Sequence, residues 1–222
     1  VYATDDAGIV VFHFKDVATA FNNVKTAVFP QKGIVNNKIS ALIFEYLEKN
    51  GIYTHYISTL NDREQLCRKS ENIPLEVVVR NYIAGSLSDR LGIEEGTKPS
   101  TVIYDLNYNN SELGDPLIND TQAVALGIVG FEDLKYIYDV AAKVNGLLLK
   151  LFTPLNIKLV DFKLEFGRTD EGLVLCDEIS PDSCRLWDME TNKKLDKDRF
   201  RRDLGDVLGG YRDVLERLKS SI

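Results

Sequence analysis

Three stretches of this chain hold residue types whose spacing could do chemistry. The first is Val160-Asp161-Phe162-Lys163-Leu164-Glu165-Phe166-Gly167. In a β-strand alternate side chains share a face, so Asp161, Lys163 and Glu165 project one way while Val160, Phe162, Leu164 and Phe166 project the other. The apolar face packs on a core, and the opposite face sets two carboxylates about one ammonium. Taken alone, such a face is a solvated surface with a local ion pair. The second stretch alters that reading. Leu173-Val174-Leu175-Cys176 is apolar and runs into Asp177-Glu178-Ile179-Ser180-Pro181-Asp182. Acids that close an apolar strand are costly to bury unless a cation meets them. A hairpin pairing residues whose numbers sum to an even value places Asp177 on the face of Asp161 and Glu165, with Val174 and Cys176 toward the core. Clustered carboxylate oxygens suit a hard cation, and Mg²⁺ is usually held by one or two carboxylates plus nucleotide phosphates.

In the third stretch, Val77-Val78-Val79 ends in Arg80, and Ala84-Gly85-Ser86 makes a small-residue turn into a short helix over 87–91. Backbone N–H groups and a hydroxyl at such a turn can seat a phosphate, to which Arg80 would add a bidentate charge. Arg185, in Ser183-Cys184-Arg185-Leu186-Trp187-Asp188, lies just beyond the acidic strand. Either arginine alone reads as a surface ion-pair partner. Two of them, each just past a strand, make a phosphate pocket.

These residues need elements to position them. Strands are predicted at Val1, at 9–14, over 52–58, around 66–68, over 75–83, and over 158–166 and 173–179. A helix is predicted over 37–50, with Ile39, Leu42, Ile43, Tyr46 and Leu47 on one face and Gly51 as its stop. Another spans 131–152, where Leu134, Ile137, Tyr138, Ala141, Val144, Leu148 and Phe152 recur at threes and fours. The chain closes in an amphipathic helix from about 198, with Phe200, Leu204, Val207, Leu208, Tyr211, Leu215 and Leu218 inward and Gly209-Gly210 bending it. The polar, proline-ended run Ser70-Glu71-Asn72-Ile73-Pro74 marks a hinge, dividing the chain into domains 1–73 and 74–222. Mixed strands and helices indicate an α+β fold with a largely antiparallel sheet in each domain.

Composition limits what can bind. The 222 residues suffice for one large domain or two small ones around a cleft. A net charge of -7 argues against a nucleic-acid polymer as partner, so any phosphate must be met by a few placed cations. No run is apolar enough to span a bilayer and no signal peptide opens the chain, which predicts a cytoplasmic protein without a membrane partner. Cys67, Cys176 and Cys184 are odd in number and show no metal-binding spacing, and so read as reduced thiols. His13 and His55 are too isolated for a histidine metal site.

Taken together, Arg80-Asn81 with Ala84-Gly85-Ser86, the Asp161–Gly167 run and the Asp177–Asp182 run resemble the SAICAR synthetase (phosphoribosylaminoimidazole-succinocarboxamide synthase) family. Lys32-Gly33, Asn36-Asn37-Lys38, Leu91-Gly92-Ile93-Glu94-Glu95-Gly96, Asp115-Pro116 and Asp196-Lys197-Asp198-Arg199-Phe200-Arg201 extend the likeness, in order, over essentially the whole chain. The resemblance implies a two-domain α+β fold with an ATP cleft between domains, similar to ATP-grasp enzymes. It implies a ligase of de novo purine biosynthesis that condenses carboxyaminoimidazole ribonucleotide with L-aspartate through an acyl phosphate, using ATP and Mg²⁺. Glu165 and Asp177, with Asp115 as a third, would be metal ligands. Arg80, Ser86, Arg185 and Asp182 would bind substrate; Lys163, Asp161 and Arg185 would serve the reaction; and the Glu71, Asn72 and Ile73 backbone would meet adenine. The partners implied are ATP, the ribonucleotide and L-aspartate, with a homodimer left open. The chain also departs from the family. A Gly-Lys loop over the ATP phosphates is expected just before the position of Val1. Ala20-Phe21-Asn22-Asn23 stands where many members have Ala-Gly-Asp-Gly, and Asn109-Asn110-Ser111 where many have a lysine. A small-molecule kinase is the main alternative, since the same cleft suits transfer to a hydroxyl. A nucleotide-binding regulatory module without catalysis is the other.

Overall fold

The computed structural model describes residues 1–21 and 24–220; the departure at Asn22 and Asn23 lies outside them. Short strands β1 (Tyr2–Ala3), β2 (Ile9–His13), β3 (Val17–Ala20) and β4 (Lys25–Val28) precede helix α1 (Lys32–Lys49). Then come β5 (Tyr56–Asn61), β6 (Glu64–Arg68), β7 (Glu71–Arg80), α2 (Ser86–Leu91), β8 (Ile103–Tyr108), β9 (Leu117–Ile118) and α3 (Asp120–Ala125). The long helix α4 (Phe131–Phe152) leads to β10 (Ile157–Thr169), β11 (Gly172–Cys176), β12 (Cys184–Asp188), α5 (Asp198–Arg201) and α6 (Val207–Lys219). Every ladder is antiparallel. One sheet runs β1-β2-β6-β5; a larger one runs β11-β10-β7-β8-β9, with β12 sharing the β11 edge of β10. No helix is long and apolar enough to cross a membrane among the described residues.

The helix α4 has the extent its apolar spacing predicts. Leu134, Ile137, Ala141, Val144, Leu148 and Phe152 are buried in one core with Val77, Val79, Phe162, Leu164 and Phe166 of the large sheet. At roughly 1.5–3 kcal/mol for each fully buried large apolar side chain, this layer contributes much of the drive for folding. The helix α1 begins five residues before its predicted start. Its first turn, Lys32 to Asn36, is polar and reads as loop, yet Lys32, Gly33, Asn36 and Asn37 are buried because their partners come from distant segments. Gly33 donates its N–H to Asp16, and a Cβ there would sit 2.2 Å from the Phe14 carbonyl oxygen, so only glycine fits.

Three expectations need correction. A bulge between Leu159 and Asp161 in the β10–β12 ladder inserts Val160 out of phase. Leu159 joins Phe162 in the main core, while Val160 packs with Ala84 and Trp187 in a satellite cluster. The hairpin register is odd rather than even, with Glu165 opposite Cys176 and Gly167 opposite Val174. Leu173 and Leu175 therefore face the main core, and Val174 and Cys176 turn to the other side. The terminal helix is two helices, parted by Asp203, Gly205 and Asp206 at positive φ, and Leu204 is exposed. Gly209 and Gly210 lie inside α6 beyond that break. The polar run expected as the domain hinge lies where one sheet gives way to the next: β6 ends at Arg68 and β7 opens at Glu71, with Glu71 and Asn72 paired to Arg168 and Gly167.

Candidate active site

The face of the large sheet opposite α4 is where the charged residues converge, and register explains why. Antiparallel partners directly opposite each other share a face. Asp161 on β10 is opposite Arg80 on β7 and also opposite Arg185 on β12. Its carboxylate accepts from Arg80 Nη1 at 2.8 Å and from Arg185 Nη1 at 2.9 Å. Arg80 also donates through Nε to Asp105 at 2.7 Å and through Nη2 to the Ser86 hydroxyl at 3.4 Å. Arg185 Nε donates to Asp198 at 3.0 Å. Asp161 is 3% exposed and Arg80 likewise 3%, so this is a buried array in which each charge has a partner. Gly85, at φ +54°, brings its backbone against the Arg185 guanidinium.

One residue pair along β10, Lys163 is gripped by acids. Its ammonium lies 2.9 Å from Glu76, 2.5 Å from Glu165 and 3.8 Å from Asp177. Burial works against the ammonium, but Asp177, Glu165 and Glu76 outweigh it and raise its pKa. Burial, reinforced by Asp177, pushes Glu165 up to about 7 despite Lys163. Asp177 reaches this group although the register runs against it. It stands just past the end of β11 at φ +66°, a left-handed conformation that takes it out of strand alternation.

Asp182 forms a second buried knot. It accepts from Lys32 at 2.5 Å, Asn36 at 2.9 Å and the Tyr211 hydroxyl at 2.6 Å. Its neighbour Glu178 is pushed up to about 7 by burial and by Asp182 and Asp177.

Two cavities meet here. One of about 440 Å³ is lined by Arg80, Ser86, Asp115, Asp161 and Arg185 among others. The second, about 410 Å³, is lined by Phe12, His13, Lys32, Asp177 and Glu178. Thr19, Lys163, Asp182, Ser183 and Lys197 border both, which makes them the junction. Of the residues expected from sequence, Lys163 and Asp182 stand at this junction, Arg80, Ser86, Asp161 and Arg185 line the first cavity, Asp177 lines the second, and Glu165 reaches the junction through Lys163. Asp115 too borders the first cavity alone. Among the described residues no group of three or more His, Cys, Asp or Glu side chains is placed to share one ion, so Asp115 does not join Glu165 and Asp177. Glu71 and Asn72 are exposed and Ile73 is buried; Glu71 borders a separate cavity of about 850 Å³ with Tyr53, Arg68 and Arg168.

Sequence reasoning gave no site role to Glu76, Lys32, Asn36, Lys197 and Tyr211, although Lys32, Asn36 and Lys197 stand in runs that carry the family resemblance. Glu76 carried a signal, as the one acid in the apolar 75–79 run. The others meet the site only through long-range packing. Glu178 Oε2, Asp115 Oδ1 and Asn36 Oδ1 are buried without a hydrogen-bond partner, although each borders one of the cavities. Buried polar atoms are seldom left so unless a ligand, ion or water completes them.

The sequence and the fold are shared with known proteins. Residues 1–218 match the sequence model of the family described as SAICAR synthetase. A phosphoribosylaminoimidazole-succinocarboxamide synthase of Clostridium perfringens (strain SM101 / Type A) is 55% identical over 220 residues, covering 99% of this chain and 94% of that protein. The crystal structure of phosphoribosylaminoimidazole-succinocarboxamide synthase from Ehrlichia chaffeensis aligns with a TM-score of 0.97 at 47% identity, over 100% of this chain and 94% of that one. A SAICAR synthetase solved in complex with ADP aligns with a TM-score of 0.95 at 44% identity, over 99% and 94%. On its sequence and its fold alike, this chain belongs to the SAICAR synthetase family.

Proposed function

We propose that this protein is an ATP-dependent carbon–nitrogen ligase of purine biosynthesis, joining L-aspartate to carboxyaminoimidazole ribonucleotide with release of ADP and phosphate. One observation carries the reading: the Arg80–Asp161–Arg185 array, in the first cavity, and the acid-bound Lys163, at the junction with the second, stand side by side on one sheet face. That layout can hold a phosphorylated substrate by one end and present its carboxylate at the other.

The chemistry requires both halves. A carboxylate resists attack by an amine because its leaving group would be oxide. Transfer of the γ-phosphoryl of ATP to a carboxylate oxygen gives an acyl phosphate; the aspartate amine then forms the C–N bond as the C–O bond to phosphate breaks, and the amine proton is lost. Arg80, Ser86 and Arg185 are assigned to the ribonucleotide phosphate, with Asp161 fixing both guanidiniums. Lys163 is assigned to the substrate carboxylate and Asp182 to substrate contact. The backbone at 71–73, where β7 opens, is assigned to adenine. A cytoplasmic setting suits the three free, buried cysteines.

Glu165 and Asp177 fit a Mg²⁺ ion shared with nucleotide phosphates. Burial together with the Asp177 charge keeps Glu165 up at about 7, so a further cation would relieve both. Two protein carboxylates are a normal share for Mg²⁺, which takes its remaining oxygens from water and phosphate. When bound, the ion would spread the negative charge of the transferring phosphoryl group. Asp115 stands apart from this pair, lining the first cavity with one buried oxygen that has no hydrogen-bond partner.

The test follows ADP release from ATP and the ribonucleotide with and without L-aspartate. A ligase releases ADP in step with amide formation. Stoichiometric ADP and a stable phosphorylated ribonucleotide that ignore aspartate would establish a kinase instead.

A further inference from the structure

The cations lining the joined cavities are nearly all committed. Lys163 is held by Glu76 and Glu165, Lys32 by Asp182, and Arg201 by Asp198. Arg80 and Arg185 share Asp161 and are backed by Asp105 and Asp198. Lys197 differs. Among the described residues its ammonium forms no salt bridge and donates no hydrogen bond, yet it borders both cavities. Lys15 is also without an ion pair among those residues, but it is exposed and borders only the second cavity.

The surrounding chain keeps Lys197 available. Its backbone N–H bonds to the Pro181 carbonyl at 3.0 Å, which ties it to the loop bearing Asp182. The acids on either side are engaged elsewhere. Asp196 accepts from the Leu186 and Asp198 backbone N–H groups, and Asp198 takes Arg185 and Arg201. Burial lowers the pKa of Lys197, with Asp182 and Glu178 pulling the other way and Arg201 and Lys32 adding to the fall. A partly desolvated ammonium without a partner gains more from an incoming anion than a hydrated one does.

Three anionic ligands must be held in this cleft, and two are provided for. The ribonucleotide phosphate has the paired arginines, and the nucleotide phosphates have the Lys163 acid cluster with its ion. The amino-acid substrate, a dicarboxylate, has no cation assigned. We infer that Lys197 recognises a carboxylate of that substrate and so sets selectivity for L-aspartate; this rests on the ligase reading above. Its place at the junction lets it hold the amino acid beside Lys163, where the activated carboxylate would lie.

Lys197→Met, which keeps the length of the side chain and removes its charge, is compared with wild type and Lys197→Arg in steady-state assays. The KM for L-aspartate should rise by about ten- to hundred-fold, the worth of one charge-assisted contact, while the KM values for ATP and the ribonucleotide stay unchanged. Lys197→Arg should restore most of the loss. Succinate, a dicarboxylate without the amine, should compete with aspartate in wild type and lose potency in parallel in Lys197→Met. An unaltered KM for aspartate, an equal rise for all three substrates, or undiminished succinate inhibition would each overturn the role of Lys197. If Lys197→Met fails to fold, Lys197→Gln is read against the same outcomes. Wild-type ADP release that does not depend on aspartate would instead overturn the ligase reading itself.

Discussion

Asp161 illustrates how much one side chain can be asked to do. It is buried and spends its oxygens on Arg80 and Arg185. Breaking a buried ion array by removing one partner typically costs about 3–5 kcal/mol, because the charge left behind has lost its compensation. Asp161→Asn should accordingly lower the thermal midpoint, and added ribonucleotide should recover part of the loss by giving both guanidiniums a new anion. Calorimetric melts with and without ligand would show it. Arg80→Ala and Arg185→Ala act on the other side of the same contacts. Each should weaken ribonucleotide binding by about 1.5–3 kcal/mol and leave ATP binding nearly intact, as titration calorimetry would record. Equal losses for both ligands would mean the phosphate pocket is misassigned. Asp177→Asn keeps the shape of the side chain and removes a charge next to Lys163. Turnover should fall sharply with the fold and ribonucleotide affinity preserved, and near-normal turnover would exclude a metal role.

At the scale of elements, small backbone irregularities aim these side chains. The bulge at Val160 lets β10 keep Leu159 in the core while turning Asp161 toward both arginines. The left-handed residue Asp177 recovers for the site an acid that the hairpin register would have sent away. Gly85 has a similar part in the turn before α2. Its φ of +54° disfavours a side chain, and a Cβ there would stand 2.3 Å from Arg185 Nη2. Gly85→Ala should therefore displace the guanidinium, weakening ribonucleotide binding as Arg185→Ala does, with a native circular dichroism spectrum. A variant with normal ribonucleotide affinity would show that Arg185 can move aside without losing its phosphate.

The whole molecule carries its own pH signature. His55 is 1% exposed, with its ring set edge-on to Phe12 and Phe44, and burial depresses its pKa to about 4. The unfolded chain protonates this ring near 6.5, so the folded state binds fewer protons between these values. Stability must then fall as pH drops from about 6.5 to about 4, by up to roughly 3 kcal/mol from this group. Glu165, Glu178 and Asp196, each raised to about 7 by burial, act in the opposite sense: their contribution is full below the unfolded carboxylate range and is lost as pH rises through 7. Urea unfolding of wild type and His55→Leu at pH 7 and pH 4.5 separates the two. The variant should lose less stability on acidification, and identical slopes would show that His55 takes no part.

Much of this protein was legible from local pattern. The helix α4 and the alternating run 161–166 follow from periodicity, since a half-buried element must place apolar side chains on one side. Arg80 at the end of its apolar run and the acids closing β11 stood out because each is costly to bury alone, whereas Arg185, expected just past a strand, lies within β12. What could not be read was anything set by distant partners. The first turn of α1 looked like loop until Asp182, some 150 residues away by chain position, met Lys32 and Asn36. The hairpin register turned on a single residue, and a one-residue slip reverses every side chain. The separation of α5 from α6 depended on left-handed residues that the apolar spacing bridges unbroken. Residue type and local period thus determined which groups could do chemistry and which face of each element was apolar. Only tertiary structure decided which charges neutralise one another, because pairing is set by register and packing between segments far apart in the chain, and so only it could show that Lys197 is left over among the described residues.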